Sequence, residues 1–163
     1  MAPEIKTTDL SDQFPNRVQV ALPIGLHHFG RKKNFSGKIV TLKCFEDNSF
    51  VRKLLETDGA GQVLVVDGGG SKRCALLGDL LAALAIKNNW SGVVVYGCIR
   101  DSAAIADMEL GVMALDTIPL KSNKRNEGQE NIMLSFAGIT FAPGQYLYAD
   151  EDGILVSENA LSL

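Results

Sequence analysis

Two carboxylates and a guanidinium frame one apolar stretch of the sequence, GDLLAALAIKNNWSGVVVYGCIRD at residues 78–101. Asp79 lies at its start, and Arg100 and Asp101 lie at its end. Carboxylates with no soft ligand beside them suit a hard divalent cation such as Mg²⁺ or Mn²⁺. A guanidinium holds a keto or carboxylate oxygen with its forked donors. These residue types favour chemistry on a small, oxygen-rich anion.

The segment between these charges predicts a helix followed by a buried strand. Apolar residues recur at helical spacing over 79–88, and residues 92–99 form a continuous apolar run. The helix would travel roughly 15 Å at ~1.5 Å per residue, and the strand would return roughly 23 Å at ~3.3 Å per residue. We therefore expect Asp79 and Arg100 to meet at the carboxyl edge of the sheet, where open α/β sheets bind ligands.

The start of this helix offers a second binding element. Helix N-termini carry free N–H groups, here those of Leu80 and Leu81, and Gly78 lets a small anion approach them. A carboxylate-bearing substrate would fit there. The glycines at 68–70, which end the preceding strand, are expected at the same edge.

A purely structural role is the alternative interpretation of these residues. Asp79 could simply cap its helix, and Arg100 with Asp101 could be an exposed pair at a strand end, followed by a cap at Ser102. Spacing alone does not separate the two interpretations.

The order of elements predicts a compact α/β domain with a central mixed sheet, made of parallel βαβ units and a C-terminal antiparallel segment. Gly59 and Gly111 are expected to stop helices, and Asp152-Gly153 predicts a hairpin turn. The predicted elements are a strand at 37–46, a helix within 47–59 capped by Asn48 or Ser49, a strand at 62–70, a helix at 79–88, a strand at 92–99, a helix at 102–111, a mobile polar loop at 121–130 and antiparallel strands over 131–158.

Composition places the chain among ordinary globular proteins. Its 163 residues are 46% hydrophobic and 21% charged, with a net charge of −3, so we expect one domain over residues 1–163 and no nucleic-acid partner. Cys44, Cys74 and Cys98 are widely spaced among apolar neighbours and predict buried thiols in a reducing compartment. With no signal peptide or membrane anchor in the sequence, we expect a cytoplasmic location.

Other site types have weaker support in the sequence. A Schiff-base aldolase would need a buried lysine, and nothing marks Lys43 as one. The two histidines, His27 and His28, are adjacent in GLHHFG. Two adjacent histidines give little support to a phosphohistidine carrier, a zinc site or a catalytic triad. GGGSK at 68–72 lacks the spacing of a phosphate-binding loop, and DEDG at 150–153 is better explained by a hairpin turn than by calcium binding.

Long stretches of the chain resemble the regulator of ribonuclease E activity A family, whose members overlap in sequence with the class II 4-hydroxy-4-methyl-2-oxoglutarate aldolases. The functional pattern of the aldolase branch is an aspartate, twenty residues and then arginine-aspartate. It is matched here by Asp79 and Arg100-Asp101. The stretches that carry the resemblance are HHFGRKKNFSGKIVTLKCFEDN at 27–48, VLVVDGGGSKRCALLGDLLAALA at 63–85, WSGVVVYGCIRD at 90–101, GVMALDTIPLKS at 111–122 and YLYADEDGILVSE at 146–158.

The resemblance implies a swivelling phosphohistidine-domain-like fold, assembly as a trimer or a dimer of trimers, and a role for each site residue. Gly78 and the amides of Leu80 and Leu81 would bind the pyruvyl carboxylate of a small keto acid. Arg100 would contact the keto oxygen, Asp101 would ligate a divalent metal, Mg²⁺ or Mn²⁺, and Asp79 would act as a catalytic residue through water. A metal and a guanidinium at the keto oxygen would stabilise the enolate that forms in both aldol cleavage and oxaloacetate decarboxylation.

The resemblance also leaves a second role open. Members of the family inhibit ribonuclease E by binding it, and an acidic chain suits contact with a basic, RNA-handling partner. Full-length aldolases of the family place an acidic residue from a C-terminal extension in the neighbouring site, whereas the sequence ends at Leu163. Aldol cleavage needs a base for the substrate hydroxyl and decarboxylation does not, so we expect decarboxylation to be the more robust activity.

Overall fold

The computed structural model describes residues 4–162, in which a ten-stranded mixed sheet carries four helices. The helices are α1 Thr7–Gln13, α2 Ser49–Leu55, α3 Asp79–Lys87 and α4 Ser102–Ile105. The strands are β1 Val18–Val20, β2 His27–His28, β3 Phe35–Lys43, β4 Gln62–Asp67, β5 Ala75–Leu77, β6 Gly92–Ile99, β7 Gly111–Thr117, β8 Gln129–Glu130, β9 Leu134–Phe136, β10 Ile139–Phe141, β11 Tyr146–Asp150 and β12 Gly153–Ser157.

The centre of the sheet is parallel and its flanks are antiparallel. Strands β3, β4, β6 and β7 lie side by side in parallel, with β5 also parallel to β6. On the outer side of β3, strands β11, β12 and β1 follow in antiparallel order, and β2 closes the other side against β7. The predicted combination of parallel βαβ units with a C-terminal antiparallel segment is confirmed.

Both faces of the central strands are covered, which explains their continuous apolar sequence. In β4, Leu64 and Val66 face a core that includes residues of α2, α3 and α4. Val63 and Val65 face the opposite core, formed with the hairpin β9–β10 and strands β11 and β12. Since side chains alternate along a strand, one apolar run supplies both layers.

The helices that connect the parallel strands bring their first residues to the carboxyl edge of the sheet. Helix α2 joins β3 to β4, α3 joins β5 to β6, and α4 joins β6 to β7. Helix α3 packs against both α2 and α4. The starts of α2 and α3 and the ends of β5 and β6 therefore lie on one side of the molecule, which is where the sequence predicts the site.

Several predicted boundaries are wrong. The helix predicted at 102–111 ends at Ile105, and Gly111 begins strand β7 instead of stopping a helix. A Cβ on Gly111 would lie 2.3 Å from the Phe35 ring, so glycine at this position allows the ring to pack against the strand. The strand predicted at 62–70 ends at Asp67, and Gly69 and Gly70 turn the chain with positive φ.

The short elements α1, β1, β2 and β5 were not predicted. His27 and His28 form strand β2, which pairs with β7. A hairpin turn joins β11 to β12 as predicted, but it consists of residues 151–152, and Gly153 is the first residue of β12. No helix within residues 4–162 is long and apolar enough to cross a bilayer.

Candidate active site

A small cavity opens at the carboxyl edge of strands β5 and β6. Its volume is about 100 Å³, well below the roughly 300–1,000 Å³ of sites for drug-sized ligands. It therefore suits a small molecule. Its lining residues are Asn48, Arg52, Ala75, Leu77, Gly78, Asp79, Leu80, Leu81, Arg100, Asp101, Lys121, Ser122 and Lys124.

The residues that the sequence predicts as a site all lie in this lining. Gly78, Asp79, Leu80 and Leu81 come from the start of α3, and Arg100-Asp101 follows the end of β6. The glycines at 68–70 do not line it, although they do follow β4, because they pack against Phe45 and Tyr96. Neither His27, His28 nor Lys43 lines it.

A direct hydrogen bond joins the two ends of the predicted stretch. The backbone N–H of Asp79 donates to Oδ2 of Asp101 over 3.1 Å. Gly78 makes this approach possible, since a Cβ there would lie 2.8 Å from the same Oδ2 and 3.5 Å from Cγ and Nε of Arg100. The carboxylate of Asp101 is thus held against the entrance of α3.

Two backbone N–H groups at the start of α3 face no protein acceptor. The first intrahelical bond runs from Ala82 N–H to the Gly78 carbonyl over 3.0 Å. Among residues 4–162 no acceptor bonds the N–H of Leu80 or Leu81. Leu81 packs its side chain into the core, whereas the Leu80 side chain is 74% exposed. Free amides at a helix N-terminus attract an anion such as a carboxylate.

Arg100 is fixed by its backbone, and its charge is not neutralised by the protein. Its N–H donates to the Leu77 carbonyl over 2.9 Å, and Nη1 lies 3.5 Å from the Pro119 carbonyl oxygen. Within the described residues, no carboxylate pairs with Arg100 inside 4 Å. Most of its guanidinium donors are therefore open to a ligand.

The capping roles that the structural interpretation gives to Asp79 and Ser102 do not match the geometry. Asp79 is the first residue of α3 and makes no capping hydrogen bond, because Gly78 occupies the N-cap position. Asp101, not Ser102, is the N-cap residue of α4, and its side chain turns back to Asp79 instead of capping α4. Asp101 also has a left-handed backbone, with φ 58° and ψ 40°.

Five polar lining residues were not predicted from the sequence. They are Asn48 and Arg52 around helix α2, and Lys121, Ser122 and Lys124 beyond strand β7. Their elements also end or begin at the carboxyl edge of the parallel strands. The sequence offered one indication, which is that loops after parallel strands converge at the carboxyl edge of the sheet. This predicts the region of the site but not which residues line it.

The segment expected to be a mobile loop at 121–130 is tied to the start of α2. Ser122 is buried, donates to Oδ1 of Asn48 over 2.7 Å and accepts the Asn48 N–H over 3.1 Å. Oδ2 of Asp47 accepts the N–H groups of Arg125 and Glu127 at 2.8 and 3.1 Å. These bonds fix the position of the lysines beside Ser122.

Asp47 is an anion stabilised by hydrogen bonds. Burial raises its pKa, but hydrogen bonds from the hydroxyl and N–H of Ser49 and from the N–H groups of Arg125 and Glu127 outweigh it and hold the pKa below the ordinary value. Oδ1 of Asp47 bonds the Ser49 N–H over 2.9 Å, so Asp47 performs the capping expected of Asn48 or Ser49.

The three thiols are buried, as predicted. Burial, with the nearby charges of Asp47 and Asp67, raises the pKa of Cys44 to about 12. Burial also raises the pKa values of Cys74 and Cys98. Thiols held in the protonated state are poor nucleophiles. No cysteine lines the cavity.

Comparison with known proteins assigns the chain to a family. A family model for RraA-like proteins, described as Aldolase/RraA, matches residues 7–156. The chain belongs to the RraA-like family. A curated relative from Aromatoleum aromaticum, named "Putative 4-hydroxy-4-methyl-2-oxoglutarate aldolase", is 56% identical over 97% of this chain and 99% of its own length.

Two solved structures share the RraA-like fold closely. The RNA-processing inhibitor RraA from Thermus thermophilis is 46% identical, with a TM-score of 0.93 over 98% of this chain and 96% of its own. The S-adenosylmethionine: 2-dimethylmenaquinone methyltransferase from Geobacillus kaustophilus HTA426 is 49% identical, with a TM-score of 0.94 over 96% of this chain and 97% of its own. The predicted family and α/β fold are confirmed.

Proposed function

We propose that the protein is a divalent-metal-dependent lyase that releases pyruvate from small keto acids. Its reactions would be the retro-aldol cleavage of 4-hydroxy-4-methyl-2-oxoglutarate and the decarboxylation of oxaloacetate. The observation that carries the proposal is that the start of α3, Arg100 and the Asp79–Asp101 pair line one cavity of suitable size. The names of the curated relatives support the aldol reaction.

The donor set of the cavity is compatible with Mg²⁺ or Mn²⁺. Its ionisable acids are the carboxylates of Asp79 and Asp101, with no histidine or cysteine in the lining. No group of three His, Cys, Asp or Glu residues gathers within residues 4–162. Mg²⁺ is commonly held by one or two carboxylates, with water and substrate completing its shell. Asp101 is the proposed direct ligand, and Asp79 acts through water; the ion would supply Lewis-acid stabilisation of charge on the keto oxygen.

The protein groups would bind and orient the keto acid. The free N–H groups of Leu80 and Leu81 donate to the pyruvyl carboxylate, with support from the helix dipole of α3. The open donors of Arg100 face the keto oxygen. Negative charge grows on that oxygen as the bond breaks, so Arg100 stabilises the transition state more than the substrate.

Both reactions break the same type of bond. In oxaloacetate the C3–C4 electron pair becomes the enolate of pyruvate and carbon dioxide leaves; C3 then takes a proton from water. In 4-hydroxy-4-methyl-2-oxoglutarate a base removes the C4 hydroxyl proton, and C3–C4 cleavage gives one pyruvate and one pyruvate enolate. C3 of the enolate then takes a proton to give the second pyruvate. Decarboxylation needs no such base, so we propose it as the more robust activity.

The test is pyruvate release from each substrate by the purified protein with Mg²⁺ or Mn²⁺. We expect turnover above that of the free metal in buffer, loss of turnover with EDTA, and a large loss in Arg100→Ala. Turnover equal to the free metal would refute the enzyme proposal.

A second proposed function is binding and inhibition of ribonuclease E. It is supported by the 46% identity to the RNA-processing inhibitor RraA and by the net charge of −3. The two functions can coexist in one molecule. Unchanged RNA cleavage by ribonuclease E in the presence of the protein would refute it, whatever the outcome of the pyruvate assay. Assembly as a homotrimer or a dimer of trimers stays a proposal that light scattering can test.

A further inference from the structure

Three cations in the cavity lining have no part in the chemistry proposed above. Arg52, Lys121 and Lys124 line the same cavity as Arg100. Within residues 4–162 none of the three has a carboxylate within 4 Å. Lys53 and Arg125, their neighbours in sequence outside the lining, each pair with a glutamate. Among these five cations, the three with no carboxylate partner in the described part of the chain are the ones that line the cavity.

The charges of the cavity exceed what a monocarboxylate needs. Four cationic side chains and two carboxylates line it, although the whole chain has a net charge of −3. The pyruvyl end of a keto acid is already served by Arg100 and the amides of Leu80 and Leu81. A proposed divalent ion would add further positive charge. An excess of this kind attracts a second anionic group on the same ligand.

The backbone that carries the two loop lysines is held in place by the fold. The N–H of Ala75 in β5, which lies beside Lys121, donates to the Leu120 carbonyl over 2.8 Å. Between the two lysines, buried Ser122 bonds Asn48. Because this loop is already ordered, binding does not incur the cost of ordering its backbone.

From these observations, and resting on the proposed keto-acid lyase function, we propose that Arg52, Lys121 and Lys124 form a second anion site. This site binds the distal carboxylate of the substrate while Arg100 and the start of α3 hold the pyruvyl end. The protein therefore selects 2-oxo dicarboxylates over 2-oxo monocarboxylates of the same length.

The second anion site has different kinetic consequences in the two reactions. In aldol cleavage the distal carboxylate stays on the departing pyruvate, so its binding is equal in substrate and transition state and affects KM. In oxaloacetate decarboxylation the distal carboxylate leaves as neutral carbon dioxide, so the cations stabilise the substrate more than the transition state. Removing a cation should raise KM in both reactions, and it should leave kcat for oxaloacetate unchanged or higher.

A matched pair of unreactive acids tests the selection directly. 2-Oxoglutarate and 2-oxopentanoate differ only by a carboxylate in place of a methyl group, and calorimetric titration with Mg²⁺ present gives both dissociation constants. We expect the protein to prefer the dicarboxylate. Lys121→Gln and Lys124→Gln should each reduce the preference about two- to fivefold, the range of an exposed ion pair, and the double variant should nearly abolish it. The preference should also fall as salt increases.

Lys53→Gln is the control, because it removes one positive charge from the same helix as Arg52 but outside the cavity. It should keep the full preference. Equal affinity of the unmodified protein for the two acids, or an unchanged preference in the double variant, would overturn the second anion site. Absence of pyruvate release by the unmodified protein would instead refute the lyase proposal; release with a retained preference in the variants would refute the second site alone.

Discussion

The substitution Gly78→Ala tests whether the position of Asp101 matters for catalysis. A Cβ at residue 78 would lie 2.8 Å from Oδ2 of Asp101, closer than real Cβ contacts allow. The backbone at Gly78, with φ −127° and ψ −170°, is extended and available to alanine without strain. The carboxylate of Asp101 must therefore move away, by about half an ångström or more, from a hydrogen bond that is now 3.1 Å long.

The expected loss of activity in Gly78→Ala is estimated from the hydrogen bond between Asp79 N–H and Asp101. A hydrogen bond to a charged group contributes about 1.5–3 kcal/mol, and partial exposure favours the lower end. We therefore expect kcat/KM for oxaloacetate to fall about tenfold, since about 1.4 kcal/mol is a factor of ten. Because the same hydrogen bond also stabilises the fold, the thermal midpoint should fall by a few degrees, about 2–4 °C per kcal/mol, and the variant should remain folded in the assay. A coupled assay of pyruvate release and a melting curve measure the two quantities.

Two further variants make the Gly78→Ala experiment decisive. Gly97→Ala, in strand β6, would make only ordinary contacts of 3.5 Å or more and should retain activity. On an Asp101→Ala background, Gly78→Ala should have no further effect, since the two substitutions act through one carboxylate. Full activity in Gly78→Ala, or an equal loss on the Asp101→Ala background, would refute this reasoning.

Three other expected outcomes follow from the structure. Arg100→Ala should lower kcat by about 10²–10³-fold, whereas Arg100→Lys should retain part of the activity; equal kcat values in the two would contradict the role of the forked donors. Asp47→Asn should lower the free energy of unfolding by about 1–3 kcal/mol at pH 7. Folding lowers the pKa of Asp47, so the ionised carboxylate stabilises the fold at pH above its ordinary pKa of 3.8, and this stabilisation is lost as pH falls through the lower folded pKa. In denaturation experiments between about pH 2 and 5, the free energy of unfolding of Asp47→Asn should therefore fall less steeply with decreasing pH than that of the unmodified protein. Gly111→Ala should destabilise by about 1–3 kcal/mol in a urea melt, because its Cβ would overlap the Phe35 ring.

The parallel centre of the fold was predictable because its signals are local. The run at 63–66 is apolar throughout, and the segment 79–99 changes from helical spacing to a continuous apolar run. Short strands carry no such signal. Strand β2 has two residues and β5 has three, so neither shows a period, and each exists because a longer neighbour offers it hydrogen bonds.

The predicted part of the site was limited to residues near one another in sequence. Asp79 and Arg100 are joined by one helix and one strand, so their meeting follows from the lengths of those elements. Arg52 and Lys121 reach the cavity from separate crossovers, and only the strand order brings them together. Because that order depends on contacts across the whole chain, their charges could not be assigned to the site from the sequence.

The contact between Asp101 and the start of α3 requires glycine at residue 78 as well as the charged residues at their spacing. Asp101 adopts a left-handed backbone conformation, which non-glycine residues seldom take and which aspartate tolerates better than most. The side chain at this turn points back to the start of α3, where the missing Cβ of Gly78 leaves room for it. A chain with Asp79 and Arg100-Asp101 at the same spacing, but with a larger residue at 78, would keep the charges and lose this contact. The pattern that predicts the geometry is therefore glycine-aspartate followed by arginine-aspartate, with the glycine as necessary as the charges.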